Sequence, residues 1–125
     1  MLKFNDNSPI YIQIIQKIKA DIISGRIKVG SKLPSVRELS FDFKVNPNTI
    51  QRVFIELDRE GITFSKRGIG TFIKDDIKVL NELKKYQAEK YTKNYIHEMK
   101  ELGLTKSEVF NYLNLFLEEI KNEYP

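Results

Sequence analysis

The chain has 125 residues, 41% of them hydrophobic, enough for one small core and an appendage but not for two full domains. It contains no cysteine, which excludes disulfide frameworks, thiol nucleophiles and cysteine-based zinc sites and fits a reducing compartment. No run approaches the ~18 apolar residues of a membrane helix, and the opening MLKFNDNSPIY lacks the layout of a secretory signal, so a cytoplasmic protein with no membrane partner is expected.

The net charge of +4 is unevenly divided: residues 1–75 carry 13 Lys+Arg against 8 Asp+Glu, whereas residues 76–125 carry 8 against 9. The excess lies in one segment, as expected where that segment meets a polyanion, although five net charges also serve solubility alone.

Ser8 followed by Pro9 reads as a capping side chain before a proline at the first helical position. Ile10, Ile14, Ile15, Ile18 and Ile22 then recur at helical spacing as far as Ser24, with Gln13, Gln16, Lys17, Lys19 and Asp21 elsewhere on the wheel and Gly25 as the stop. This first helix is expected to buttress the helices that follow. RIKVGSK, with Gly30 and Ser31 as turn residues, reads as a short extended connector.

Ser35 and Glu38 stand three apart as a capping box, and Val36, Leu39 and Phe43 give an apolar edge that leaves Arg37 and Ser40 on other faces. Asn46 and Pro47 open a third helix within a few residues. Its stripe of Ile50, Val53, Phe54 and Leu57 places Asn48, Thr49, Gln51 and Arg52 near the start of an outward, donor-rich face without acids. Glu56, Asp58 and Glu60 come only toward the other end, and Gly61 terminates the helix. Ile62 to Ser65 and Thr71 to Ile73 are β-formers, joined by the basic turn Lys66-Arg67-Gly68-Ile69-Gly70.

From Asp76 the pattern is helical again. Ile77, Leu80, Leu83, Tyr86, Tyr91, Tyr95, Ile96, Met99 and Leu102 form a broad band, stopped in Schellman fashion at Gly103 and Leu104. Thr105 and Glu108 make a second capping box before the stripe Val109, Phe110, Leu113, Phe116, Leu117 and Ile120. Two such helices leave an apolar face uncovered on a monomer, and a second copy related by C2 symmetry would complete their core. The expected fold class is mainly α with a small β-hairpin: a winged helix-turn-helix over residues 1–75, then a C-terminal α-helical hairpin for dimerisation over 76–125.

Catalysis has little to stand on. His97 is the single histidine, no nucleophile motif or P-loop is present, and Gly68-Ile69-Gly70 is too short for a dinucleotide fingerprint and precedes a strand. No enzymatic activity, cofactor or metal is expected. Double-stranded DNA is the expected partner: Arg37, Arg52, Lys66 and Arg67 supply charge, and Asn48, Thr49 and Gln51 supply shorter polar reach for a major groove. Two readings of the tail stay open. Tyr86, Tyr91, Tyr95 and Met99 line a cavity for a small-molecule effector, or together with Phe110, Leu113, Phe116 and Leu117 they form the core of a homodimer interface. In the alternative to DNA binding, the winged helix is a protein-interaction module that uses the aromatic tail as its surface.

PSVREL, VNPNTIQR, DREG and KRGIGTFI, preceded by PIYIQI, resemble the DNA-binding domain of GntR-type bacterial transcription regulators over residues 9–74. The tail resembles that of the small YtrA-like branch, whose members are repressors with a short dimerising tail and no large sensor domain. The resemblance implies that Arg37 reaches a base edge, typically guanine, and that Ser35 seats its helix end against phosphate. It implies Asn48, Thr49 and Arg52 on a recognition helix, Gly68 and Gly70 with Arg67 at a wing tip in or over the minor groove, and Thr71 on a phosphate. Two positions depart from the pattern. Ile69 stands where relatives often carry a polar or basic residue, which reduces readout by the wing to backbone contact, and Gln51 replaces an arginine of some branches.

Overall fold

The computed structural model describes residues 3–124. The elements are α1 (Ile10–Ile23), α2 (Val36–Phe43), α3 (Pro47–Arg59), β1 (Thr63–Lys66), β2 (Gly70–Ile73), α4 (Ile77–Glu101) and α5 (Lys106–Glu119). The chain divides into two compact units, Met1–Lys84 and Lys85–Pro125. The division falls inside α4 because Leu80 and Leu83, on its first turns, pack against the core of the first unit.

That core is built from stripes. Ile14, Ile15, Ile18 and Ile22 of α1 meet Leu39 of α2 and Ile50, Val53 and Leu57 of α3, closed below by Leu33, Ile62 and Ile73. Removing such side chains from water is the main favourable term in folding this unit.

Three expectations for α1 are corrected. Pro9 itself is the N-cap and no side chain caps the helix; the carboxamide of Gln13 folds back instead, donating to the Asn5 and Ser8 carbonyls at 2.9 and 2.8 Å. Ile10 is 44% exposed, one turn outside the buried stripe. Lys19, read as part of the polar face, is 6% exposed and ion-paired with Glu60 at 3.0 Å, the pairing that a buried ammonium requires. Nearby, burial tends to raise the pKa of Asp21, but hydrogen bonds from Arg26 and Lys17 outweigh it and hold the carboxyl below its ordinary value.

Both capping boxes form, at Ser35/Glu38 and at Thr105/Glu108. Ser40 is buried, its hydroxyl donating to the Arg37 carbonyl at 2.9 Å, so it belongs to the inner side of α2. Lys44 takes the left-handed conformation (φ 56°) that turns the chain from α2 toward α3. Asn46 caps α3 by accepting the Asn48 N–H at 2.8 Å, with Pro47 as its first residue.

The hairpin pairs Thr63 with Ile73, Phe64 with Phe72, Ser65 with Thr71 and Lys66 with Gly70. Lys66 therefore ends β1 instead of lying in the turn, and the loop is Arg67-Gly68-Ile69. Alternation places Thr63, Ser65, Thr71 and Ile73 on one face and Phe64, Lys66, Gly70 and Phe72 on the other. The outer edge of β2 is not free: Leu33 donates to the Thr71 carbonyl and Ile73 to that of Ser31, both at 2.8 Å. The connector thus acts as a short third strand that covers the edge.

In the second unit Gly103 (φ 78°) and Leu104 donate to the Lys100 and Met99 carbonyls, the two bonds of a Schellman closure. Among the described residues, α5 buries none of its own side chains. Helix α4 is not long and apolar enough to cross a membrane, and neither is any other described helix.

Candidate nucleic-acid interface

Local sequence fixes the start of α2. Ser35 Oγ accepts the Glu38 N–H at 3.1 Å while Glu38 Oε1 accepts the Ser35 N–H at 3.3 Å. The hydroxyl proton of Ser35 stays available to an external acceptor such as phosphate. Arg37 follows two residues later, exposed. Of the chain's arginines, Arg26 and Arg59 are ion-paired with Asp21 and Glu56. Arg37, Arg52 and Arg67 have no carboxylate partner among the described residues, so their charge is uncompensated at short range.

Along α3, Asn48, Gln51 and Arg52 are exposed and Thr49 is half-buried, because Ile50, Val53 and Leu57 hold the opposite side in the core. Arg52 is not a free surface cation. Its guanidinium lies 3.8 Å from the centroid of the Tyr11 ring, and Nη2 donates to the Tyr11 hydroxyl at 3.0 Å. Stacking and hydrogen bond together pre-set the side chain and reduce the entropy lost when its other N–H groups are engaged. Sequence reasoning missed this role of Tyr11; its only signal was a tyrosine beside the isoleucine stripe in PIYIQI. Ile55 was also missed, 64% exposed and one turn beyond Gln51 on the outward face.

The wing is tied to α3 through one carboxylate. Asp58 accepts from the Thr63 hydroxyl through Oδ1 and from Ser65 Oγ at 2.7 Å through Oδ2, and Ser65 Oγ lies 2.8 Å from Thr71 Oγ1. Thr71 is 6% exposed, and its hydroxyl braces the hairpin. Asp58→Ala leaves the Thr63 and Ser65 hydroxyls without their acceptor and is expected to cost about 2 kcal/mol, read as a lowered urea midpoint. It is also expected to weaken DNA affinity, because the wing loses its fixed angle to α3.

On the outer face the rings of Phe64 and Phe72 stack with centroids 5.6 Å apart. The Lys66 ammonium stands 5.8 and 5.5 Å from those centroids, so Lys66 flanks the hairpin while Arg67 and Ile69 occupy its tip. Gly68 and Gly70 both have positive φ, 77° and 143°. A Cβ on Gly70 would collide with Cε of Lys32. The long Lys32 side chain thereby lies against the base of the wing, a cation that sequence reasoning left in the connector.

The tail residues do not gather as expected. A cavity of about 480 Å³ between α4 and α5 brings Tyr95 together with Ile96, Leu104, Phe110 and Leu113. Tyr86, Tyr91 and Met99 do not line it. Tyr86, Tyr91, Phe110, Leu113, Phe116 and Leu117 are all exposed, while Tyr95 and Met99 are half-buried.

Comparison with known proteins agrees with this architecture. The sequence model of the gntR family of bacterial regulatory proteins matches residues 10–73. The HTH-type transcriptional regulator YhcF of Bacillus subtilis, itself uncharacterized, is 41% identical over 116 residues, 93% of this chain and 96% of YhcF. The HTH-type transcriptional repressor YtrA of the same organism is 49% identical over 72 residues, 58% of this chain and 55% of YtrA. A solved structure of a GntR family transcriptional regulator from Listeria monocytogenes superposes with a TM-score of 0.83 at 38% identity, covering 89% of this chain and 97% of that one. These relatives are named as transcription regulators and not enzymes, and the winged helix with a C-terminal helical region is the plan shared with the Listeria structure. The chain belongs to the gntR family of bacterial regulatory proteins and is a DNA-binding transcription regulator.

Proposed function

We propose that the protein is a cytoplasmic repressor that binds a pseudopalindromic operator as a homodimer, each winged helix gripping one half-site. The observation that carries this reading is the set of arginines without carboxylates, Arg37, Arg52 and Arg67, placed on α2, the outward face of α3 and the wing. In this reading Arg37 reads a guanine edge in the major groove, where a bidentate arginine is the commonest specific contact. Asn48, Thr49 and Gln51 line the same groove, and Ser35 donates to a phosphate. Arg52 and Lys66 lie along the backbone, and Arg67 enters the minor groove with the wing tip, which Gly68 and Gly70 let approach closely.

The name of YtrA supports repression. Homodimerisation is supported by α5, which covers none of its own residues and carries Phe110, Leu113, Phe116 and Leu117 exposed; apolar faces of this kind mark association surfaces. The aromatic tail thus serves subunit contact, and the DNA role requires no cofactor or effector.

Fluorescence anisotropy at rising salt tests the docking. Three cations per protomer at the duplex surface, Arg52, Lys66 and Arg67, six per dimer, predict that log K falls against log salt with a slope of about −5. A slope flatter than about −2 would contradict a grip by these side chains.

A further inference from the structure

The tip of the wing carries an apolar side chain that the charge argument leaves unused. Ile69 is 59% exposed and stands between Gly68 and Gly70, both with positive φ. Its N–H closes the turn onto the Lys66 carbonyl at 2.9 Å. Neither neighbouring glycine has a side chain to cover it, and the exposed Arg67 lies two residues before. An aliphatic group held out at the tip beside cationic side chains gains by meeting an apolar surface.

A duplex offers two such surfaces, the thymine methyl in the major groove and the sugar-lined walls of the minor groove. A loop of three residues, with Gly68 inside it and Gly70 directly after it, is slim enough for the minor groove, about 6 Å wide. Arg67 favours the same place, because the negative potential is strongest where that groove is narrow and rich in A·T. There, A·T and T·A pairs present only acceptors, which a guanidinium can serve, whereas G·C adds the 2-amino donor of guanine. Ile69 has no acceptor to offer it. A guanine beneath the tip would have its amino group desolvated and unpaired against carbon.

We propose that Ile69 is a specificity-determining residue through which the wing selects A·T over G·C, by excluding the guanine 2-amino group from the minor groove. The proposal rests on the wing docking proposed above.

The test uses the full-length protein and the duplex it enriches best from a randomised pool. A·T pairs flanking each half-site are replaced singly by G·C, and by inosine·C, which keeps the major-groove edge of G·C but lacks the 2-amino group. At the position under the wing, G·C is expected to weaken the wild type about 10-fold and inosine·C to restore it to within about 2-fold. Ile69→Ser supplies an acceptor and is expected to bring A·T and G·C within about 2-fold of each other.

Inosine·C as weak as G·C, or an Ile69→Ser variant that discriminates as the wild type does, overturns the proposal. So does discrimination lost on replacing thymine by deoxyuridine, which places Ile69 on a major-groove methyl. Failure of the docking reading looks different: Arg67→Ala and Ile69→Ser would leave affinity for every duplex unchanged.

Discussion

Arg37→Ala is expected to remove sequence-selective binding while leaving the protein folded and dimeric. A bidentate arginine on guanine contributes about 1–3 kcal/mol of discrimination. Two symmetry-related half-sites double this, so affinity for the selected duplex should fall about 30-fold or more while binding to unrelated DNA changes little. The side chain is exposed, has no carboxylate partner among the described residues and contributes nothing to the core, so the stability read from urea unfolding should change by no more than about 0.5 kcal/mol. Anisotropy titrations against the selected and a scrambled duplex read both affinities. Full affinity of the Arg37→Ala variant for the selected duplex would remove Arg37 from base readout.

Deleting the tail should have the other large effect. A chain ending at Lys84 keeps Leu80 and Leu83 against the core and retains the whole first compact unit. It is expected to remain folded and to run as a monomer in light scattering. Its affinity for a two-half-site duplex should fall by about 10²–10⁴, because the second half-site is no longer reached at the effective concentration that linkage provides. A truncated protein that still runs as a dimer would show that the clamp lies in the winged helix itself.

The parts of this fold legible in the sequence are those written in local code. The Ser35/Glu38 and Thr105/Glu108 boxes, the Asn46-Pro47 start and the Gly103 stop each satisfy helix ends with residues one to five positions away. The stripe on α3 has the helical period, so its burial followed from spacing. What stayed hidden depends on pairings across the chain. Tyr11 meets Arg52 across 41 positions, as does Lys19 with Glu60. No periodicity announces either pair. Asp58 reads as one of several acids at the far end of α3 until β1 folds back and sets Ser65 against it. Thr71 shows the same limit: its bond to Ser65 depends on the pairing of β1 with β2. The tail aromatics share a band in sequence, yet α5 rises beside only part of α4, so Tyr95 lines the cavity and Tyr86 and Tyr91 do not.

The joint grip of α2, the start of α3 and the wing on a duplex is tested most directly by incubating the protein with sheared genomic DNA at moderate salt and sequencing what it retains. Enrichment of a few fragments sharing one inverted repeat, lost with Arg37→Ala, is the expected result. Uniform recovery of the genome with no shared sequence would contradict it.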